Sequence, residues 1–578
     1  MTAPHVPAIG LAALAAAALP SLLAYNTAPS PTFLNQAVAL VGWGLFVVAA
    51  GARRDGVRDV APVLAALALA GVGVLWSWGP GALPASLALS ALGMIVAAAL
   101  LTAHGAMIRR SDDAHTVFTW FCLAWVVAGV LNAAIGLIQV FAPALPDGDW
   151  IARPSSPGRA VGNLRQPNHL SSLLLWAAIA LVALVELGRL RRATGAMLMA
   201  LFVFAVVLTA SRTGLVSVGL LALWGLADRR LTRATRALLL AAPLLYAAGW
   251  GAMALWASLG EHAFGGAARL AETDISGSRF GIWSNTIELI RGQPWTGVGF
   301  GEFNLAWTLT PFPDRPTAFF DHSHNLPLQL LVELGLPLGG LVLAQLLWAL
   351  ARPLSGWRTA DTGQRCAWMM VLMIGLHSLL EYPLWYAYFL LPAAWAWGFA
   401  LGRPAPSTDT GSTAARAWPP VAGVALVIVA LAAVVDYQRV VRIFEAPATA
   451  PPLAVRIADG QRSVLFAHHA AYAMATTGLA ARDDLRAFDG ALHYLLDTRL
   501  MLAWARALHA AGRDDDARHV AARLREFRHP QATGFLAECD DPASAPQAFQ
   551  CRPAPTPPPR WPTLLPLGPG GVSPPKAR

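Results

Sequence analysis

The sequence predicts an all-α polytopic membrane protein with about thirteen transmembrane helices. Hydrophobic residues make up 56% of the 578 residues, only 13% are charged, and long apolar runs recur along the chain. Charged residues usually form about 25% of a soluble globular domain, so this chain has too little charge to cover soluble domains of its length. The composition excludes a disordered chain, a disulfide-rich secreted scaffold and an ordinary cytosolic enzyme.

Thirteen apolar runs account for most of the first 436 residues. Most of them approach the ~20 residues that an α-helix needs to cross the hydrocarbon of a bilayer. The break at Ser211 and Arg212 is the least distinct, because the following run is short. The predicted spans are residues 7–25, 35–51, 60–76, 84–106, 117–141, 169–187, 194–210, 213–226, 237–258, 326–351, 366–382, 384–402 and 419–436.

Arginines are concentrated in alternate loops. Loops 26–34 and 77–83 contain no Lys or Arg. The positive-inside rule therefore predicts a membrane protein with a cytoplasmic N-terminus. The net charge of +9 then mostly reflects topology, and no basic stripe with interleaved aromatic residues indicates nucleic-acid binding. Seventeen arginines occur in the six short loops 52–59, 107–116, 188–193, 227–236, 352–365 and 403–418.

Two long segments are predicted to lie on the periplasmic side, the loop 259–325 and everything after residue 436. Residues 1–436 then form the transmembrane domain, and 437–551 a helical domain that is either tetratricopeptide-like or an irregular bundle. Its helices are predicted near 461–478, 483–496, 499–511 and 514–528. Residues 552–578 contain ten prolines and are predicted to be disordered. A periplasmic location would permit a disulfide between Cys539 and Cys551, and the pairing stays open.

Polar side chains are rare in membrane helices unless they have a use. One cluster, 162–169, contains Arg165, Gln166, Asn168 and His169 where the sixth span begins. Asn168 could cap that helix, but a cap explains only one of these residues. A second cluster is 211–214, in which Arg212 either reaches to the membrane surface or forms an anion site.

The long periplasmic loop contains Arg279 and a glycine-rich stretch, 294–301. We interpret its glycines as turn formers, because no phosphate-loop motif is present. At the end of the loop, 321–325 leads directly into the tenth span. Spacings of four place Asn325, Gln329 and Glu333 on one helical face. A polar face on an apolar helix indicates a water-filled cleft or polar partners in the bundle.

Three further features have competing interpretations. His322 and His324 form a possible metal-ligand pair, although no third or fourth ligand is evident, and we expect no metal and no cofactor. Asp147 and Asp149 resemble an acidic metal motif but fit a plain turn better. The last cluster, 381–388, combines Glu381 and Tyr382 with aromatic residues, which are usual as interface anchors.

Arginines and a histidine at the outer face suit transfer from a lipid-linked pyrophosphate. A guanidinium matches phosphate oxygens, so Arg212 and Arg279 are candidates for holding the leaving group. His324 is a candidate base for an acceptor hydroxyl.

Four motifs carry a family resemblance: 162–169, Ser-Arg-Thr-Gly at 211–214, 322–335 and 377–386. They resemble the bacterial protein O-oligosaccharyltransferases of the PglL/PilO type, in the superfamily of O-antigen ligases and polymerases. The resemblance implies en bloc transfer of a glycan from undecaprenyl pyrophosphate to Ser or Thr hydroxyls of periplasmic proteins such as type IV pilin.

The resemblance also implies roles for single residues. His324 corresponds to the essential base candidate, Gln166 to an essential glutamine, and Tyr382, rather than Tyr386, to an essential tyrosine. Which arginine is the main pyrophosphate ligand stays open. The candidates are Arg165, Arg212 and Arg279, and the supporting residues are His322, Asn325, Asn168, His169, Gln329, Glu333 and Glu381. An O-antigen ligase acting on lipid A core and a lipid-glycan transporter are the alternatives.

Overall fold

The computed structural model describes residues 5–52, 56–81, 83–260, 262–266, 279–313, 315–404 and 418–565. Within these ranges the chain is helical and contains no β-strand, which confirms the all-α class. Parts of the predicted loops 52–59, 259–325 and 403–418, and all of 566–578, lie outside the described ranges.

Each of the thirteen predicted spans coincides with a helix. In the described part of the chain, eight helices are long and apolar enough to cross a membrane, and four shorter ones are also apolar. The count of thirteen spans stays a prediction. The helices are α1 (His5–Ala17), α2 (Leu19–Leu22), α3 (Phe33–Ala50), α4 (Ala61–Trp78), α5 (Ala85–Arg110), α6 (Ala114–Phe141), α7 (Pro167–Glu186), α8 (Arg192–Leu208), α9 (Arg212–Ala227), α10 (Arg233–Gly260), α11 (Arg279–Gly292), α12 (Phe303–Leu309), α13 (Leu326–Ser355), α14 (Thr362–Ser378), α15 (Ala387–Leu401) and α16 (Trp418–Phe444).

Chain contacts divide the protein into two compact units. The first contains residues 1–65, 96–273 and 345–434. Among the eight long apolar helices of the described ranges, α7 is the most buried, with 94% of its most apolar stretch buried, and it packs against α6, α8 and α14. A helix that is apolar on all sides is buried among other helices or in lipid, and the first polar cluster lies at the N-terminal end of α7.

The second unit contains residues 66–95, 274–344 and 435–578. Its tail adds α17 (Leu453–Gly460), α18 (Ala467–Thr476), α19 (Asp489–Leu492), α20 (Thr498–Ala510), α21 (Asp514–Phe527), α22 (Thr533–Ala537) and α23 (Trp561–Leu564). Short 3₁₀ turns occur at Leu485–Phe488, Pro530–Ala532 and Phe549–Cys551. In the first unit they occur at Val57–Val60 and Pro383–Trp385.

The tail and the loop before α13 share one apolar core. Trp307 and Phe312 from the loop pack in the same cluster as Trp504 and Phe527 from the tail. The predicted tail domain, 437–551, therefore completes its core with residues from elsewhere in the chain.

The predicted tail helices hold only in part. Helices α20 and α21 fall where 499–511 and 514–528 were expected. The expected helix 461–478 is replaced by α17 and α18, and 483–496 forms only a 3₁₀ turn and the single turn of α19.

The end of the tail differs from the disorder expected for 552–578. Residues 552–565 are packed, since Leu564 is fully buried in the shared core and Arg513 donates hydrogen bonds to the carbonyls of Thr563 and Leu564. Cys539 and Cys551 form a disulfide.

Candidate functional site

In the first unit, the sixth predicted span begins with a side-chain cap. Gln166 precedes Pro167, the first residue of α7, and its Oε1 accepts hydrogen bonds from the backbone N–H groups of Asn168 and His169. The suggestion that Asn168 caps this helix is therefore wrong. Because Gln166 performs the capping, the amide of Asn168 is available for other partners.

Asn168 joins three polar clusters that are far apart in the sequence. Its Nδ2 donates to Glu381 Oε1 at 2.8 Å, and its Oδ1 accepts from Ser211 Oγ at 2.6 Å. Ser211 also caps α9 by accepting from the N–H of Gly214. All three bonded side chains are buried, and a buried carboxylate needs such partners to offset the loss of hydration. The motifs 162–169, 211–214 and 377–386 thus meet in one hydrogen-bonded cluster, the Asn168 cluster.

Aromatic and imidazole rings surround His169. Its Nδ1 lies 3.1 Å from the hydroxyl of Tyr388, and its ring lies 4.6 Å from that of Tyr386, edge to face. Tyr386 stacks on Tyr382, which is half-buried, with ring centres 6.1 Å apart. His169, Tyr382 and Glu381 are therefore part of one neighbourhood at the ends of α7 and α14.

The arginines of the first unit differ in their surroundings. Arg165 donates to the backbone carbonyls of Ala24 at 2.7 Å and Gly148 at 3.3 Å, so its guanidinium already orders two loops. Arg212 is the first residue of α9 and its side chain is exposed.

In the second unit, the residues before α13 form a tight turn around His324. The backbone of His324 has φ 55°, in the left-handed region, which non-glycine residues seldom adopt. Asn325 caps α13, since its Oδ1 accepts from the N–H of Leu328. Trp283 Nε1 donates to the carbonyl of Ser323 at 3.0 Å. The turn is thus held by side chains on both of its flanks.

The stripe with a spacing of four is present as predicted. Gln329 Oε1 accepts from the N–H of Ser323 at 2.7 Å, and Gln329 Nε2 donates to Glu333 Oε1 at 2.9 Å. Gln329 and Glu333 are both buried. Gln329 therefore connects the His324 turn to the first two turns of the helix that follows it.

The glycines at 297, 299 and 301 form turns, as interpreted from the sequence. Their φ angles are 68°, 109° and 79°. Here the chain runs beside a break in α13 at Gly335, and the N–H groups of Val298 and Gly299 donate to the carbonyls of residues 332 and 333. A Cβ at Gly297 would lie only 2.5 Å from the Glu333 carbonyl, so this close approach requires glycine.

His322 has a carboxylate partner of its own. Its Nδ1 lies 3.1 Å from Asp321 Oδ1. Burial raises the pKa of the Asp321 carboxyl, but the charge of His322 and its hydrogen bond outweigh this and lower the pKa overall. Among the described residues, no group of three or more His, Cys, Asp or Glu is arranged to hold a metal ion. Asp147 Oδ1 accepts from three following N–H groups, which is a turn.

Arg279 begins α11 and is half-buried, next to Phe280, which is 78% exposed. Arg279, His322, His324, Asn325, Gln329 and Glu333 all belong to the second unit, whereas Arg165, Gln166, Asn168, His169, Arg212, Glu381 and Tyr382 belong to the first.

Left-handed backbone is concentrated at the predicted clusters. Four described non-glycine residues have positive φ: Arg165, Ala210, His324 and Arg528. Two of them are predicted site residues, and Ala210 directly precedes the Ser211 cap. Such conformations cost about 1–3 kcal/mol each and persist where the surroundings enforce them, often at functional sites.

Three buried residues of the Asn168 neighbourhood, Ser172, His377 and Tyr388, were not predicted as site residues from the sequence. Ser172 Oγ lies 2.7 Å from His377 Nδ1, and Tyr388 contacts His169. The signal was available for His377, since it lies four residues before Glu381 and starts the motif 377–386. Tyr388 comes after the helix is interrupted at Pro383, so helical periodicity could not predict its contact with His169.

Three family models match parts of this chain. The model described as O-antigen ligase matches residues 197–344, the C-terminal model of a virulence factor membrane-bound polymerase matches 366–537, and the protein glycosylation ligase model matches 160–185. The last of these contains the Gln166 cap and the start of α7.

Two curated proteins of Acinetobacter baylyi are similar to the chain. The general O-oligosaccharyltransferase is 29% identical over 313 residues, 51% of this chain and 52% of that protein. The ComP-specific O-oligosaccharyltransferase is 26% identical over 272 residues, 46% of this chain and 47% of that protein. The chain spans about half the length of the curated relatives it matches. The predicted resemblance is confirmed.

Proposed function

We propose that this chain is a protein O-oligosaccharyltransferase of the bacterial inner membrane. It transfers a preassembled glycan en bloc from undecaprenyl pyrophosphate to Ser or Thr hydroxyls of periplasmic proteins such as type IV pilin. The two similar proteins of Acinetobacter baylyi support the reaction class by their names. The glycan and the sequence around the acceptor hydroxyl are not part of the proposal.

The Asn168 cluster is the observation that carries the proposal. A membrane bundle keeps buried Asn, Glu and Ser side chains together mainly where they have a function. Here they come from three sequence motifs and lie at the ends of three helices. Gln166 and Tyr382, proposed as catalytic residues, lie at the same helix ends.

In the proposed reaction, His324 removes the proton of the acceptor hydroxyl. The hydroxyl oxygen bonds to the anomeric carbon of the first sugar, and the bond from that carbon to the pyrophosphate oxygen breaks. Undecaprenyl pyrophosphate leaves with the electron pair. Arg212 and Arg279, with Arg165 as a third candidate, stabilise its charge by guanidinium–phosphate hydrogen bonds.

The proposal includes an orientation in the membrane. The arginine-rich loops are cytoplasmic, and the His324 turn and the tail are periplasmic. The disulfide Cys539–Cys551 supports the placement of the tail, because the periplasm is oxidising.

A second candidate function is O-antigen ligation to lipid A core. The O-antigen ligase model, which matches residues 197–344, favours it. The protein glycosylation ligase model at 160–185 and both similar proteins favour a protein acceptor. The bond-forming chemistry is the same for either acceptor.

The test combines the purified protein with a defined lipid-linked glycan and a pilin acceptor, and mass spectrometry of the pilin is the readout. We expect glycosylated pilin with the wild type and a loss of ~10²–10⁴-fold with His324→Ala, the range for a general base. His115→Ala is the matched control, since His115 is an exposed histidine far along the chain from either cluster. Full transfer by His324→Ala would refute the role of His324, and transfer to lipid A core alone would identify the ligase.

A further inference from the structure

The residues before the His324 turn are packed against the tail. The ring of Phe319 stacks on that of Phe527, the last residue of α21, with centres 4.0 Å apart and planes 15° from parallel. Phe527 is 1% exposed. This contact fixes the start of the segment 319–325 on a folded part of the tail.

Phe320 contacts both His324 and the core that holds Phe319. Its ring lies 5.3 Å from the His324 imidazole, edge to face, and 5.6 Å from Trp307. Trp307 in turn lies 5.6 Å from Phe527. A rotation of Phe320 would therefore change the orientation available to the imidazole.

Asn304 of α12 links the tail to Phe320 by hydrogen bonds. Its Oδ1 accepts from the backbone N–H of Leu496 at 2.7 Å, and its Nδ2 donates to the carbonyl of Phe320 at 2.9 Å. Asn304 is 7% exposed. The amide can satisfy a donor on the tail and an acceptor on the His324 segment at once, and neither Asp nor Leu can do both.

We propose that Asn304 is a positioning residue for His324, so that the folded tail is required to orient the catalytic turn. This inference rests on the proposed function of His324. A turn with a left-handed non-glycine residue is held only by its surroundings, and three of those surroundings are Gln329, Trp283 and the Asn304 bridge. A displacement of about 1 Å at a reacting group costs up to ~10²-fold in rate.

Asn304→Asp tests the bridge in the full-length protein. The carboxylate keeps an acceptor for Leu496 N–H but turns an oxygen toward the Phe320 carbonyl, which repels it. We expect kcat for pilin glycosylation to fall by about 10-fold or more with KM for pilin nearly unchanged, because acceptor binding is not altered. We also expect faster hydrogen exchange in 319–325 and no change in α20.

Asn285→Asp is the matched control. Asn285 lies in the same loop region and is buried, but its Oδ1 only accepts from Trp307 Nε1, and a carboxylate can continue to do so. We expect wild-type kcat and wild-type exchange in 319–325. Phe527→Leu is the second variant, since it keeps an apolar side chain in the core and removes the ring stack. It should lower kcat about 3-fold, a smaller effect of the same sign.

Three outcomes overturn the inference. They are unchanged exchange in 319–325 with Asn304→Asp, unchanged kcat despite faster exchange, and an equal fall in kcat with Asn285→Asp. Absence of glycan transfer by the wild type refutes the proposed function instead, and the exchange measurement then still decides whether Asn304 holds the segment.

Discussion

The Asn168 cluster and the His324 turn are built in different ways. In the Asn168 cluster, side chains bond directly to side chains, and the partners lie at or just beyond the ends of helices packed in the bundle. In the His324 turn, the bonds join the side chains of Trp283, Asn304 and Gln329 to the backbone. The tail is linked to this turn through Asn304, which also accepts from the N–H of Leu496. The first region depends on the packing of helices in the first unit, and the second depends on the folded tail through Asn304.

This difference predicts separate failure modes. Damage to the tail should affect the His324 turn and leave the Asn168 cluster intact, because the two regions belong to different compact units. Damage to α7 should do the reverse.

The largest loss in the free energy of unfolding is expected from His493→Ala. His493 Nδ1 lies 2.6 Å from Glu302 Oε1, and both side chains are buried. Burial lowers the pKa of His493, but the Glu302 carboxylate outweighs it and raises the pKa overall, so a charged pair is favoured. Removing one partner of such a pair costs about 3–5 kcal/mol. Hydrogen exchange of the α20 backbone at increasing urea concentration, read by mass spectrometry in the full-length protein, measures the loss.

The double variant Glu302→Gln with His493→Gln is the control for this pair. It removes both charges and should recover most of the lost stability. Equal instability of the single and double variants would contradict an ion-pair origin.

Asn168→Asp should disrupt the Asn168 cluster. The change places a carboxylate 2.8 Å from Glu381 and removes the amide donor. We expect transfer to fall by ~10–100-fold, while the unfolding of the tail is unchanged. Asn168→Asp together with Glu381→Gln restores one donor between the two side chains. Recovery of activity in that double variant would assign the loss to charge repulsion, and a destabilised tail would contradict the separation of the two regions.

The third prediction concerns how the stability of the tail and its shared core depends on pH. Burial lowers the pKa of His519 to about 4, and its Nε2 lies 2.8 Å from the carbonyl of Leu309. The unfolded chain binds this proton more readily than the folded one, so the stabilisation is present above pH 6.5 and is lost as the pH falls toward 4. At pH 5 the loss is about 2 kcal/mol.

His519→Gln isolates this effect, because glutamine can donate to the same carbonyl without titrating. The variant should lose less stability than the wild type between pH 7.5 and 5, as measured by urea unfolding. His493 acts with the opposite sign, since its raised pKa gives stability that is lost as the pH rises above 6.5. An identical acid dependence of wild type and His519→Gln would exclude His519 as the sensor.

The smallest loss in the free energy of unfolding is expected from Ser211→Ala. It removes the cap on α9 and the acceptor for the N–H of Gly214, at a cost of about 1 kcal/mol. Thermal unfolding of the detergent-solubilised protein measures it, and Ser258→Ala is the control, since Ser258 is exposed and caps no helix start. A much larger loss would mean that Asn168 cannot find another donor.

The sequence predicts the helices of the membrane region well and the tail poorly. Continuous apolar runs identify each span, because burial in lipid or protein demands them along the whole helix. The tail helices are short, and Phe527 is buried against Phe319, about two hundred residues earlier. No local periodicity encodes such a contact, so the shared core and the order of 552–565 could not be foreseen.

The sequence predicts which residues belong to the candidate site, but it does not predict the hydrogen bonds between them. Polar residues in apolar surroundings identify Asn168, Glu381 and Gln329. The bond from Asn168 to Glu381 spans 213 positions, and only the folded bundle reveals it. The replacement of Asn168 by Gln166 as the cap depends on the extended backbone of residue 166, which the sequence does not specify.

The break in α13 at Gly335 has a consequence for building chimeras. The N–H groups of Val298 and Gly299 occupy carbonyls of α13, and Leu336 N–H donates back to Pro294. A loop exchanged between relatives without the adjoining helical turn would leave these groups without partners in an apolar setting. The stretches 294–299 and 332–336 therefore form a single exchange unit, and glycosylating enzymes recombined at Gly292 and Leu336 together should insert more readily than those recombined within either stretch.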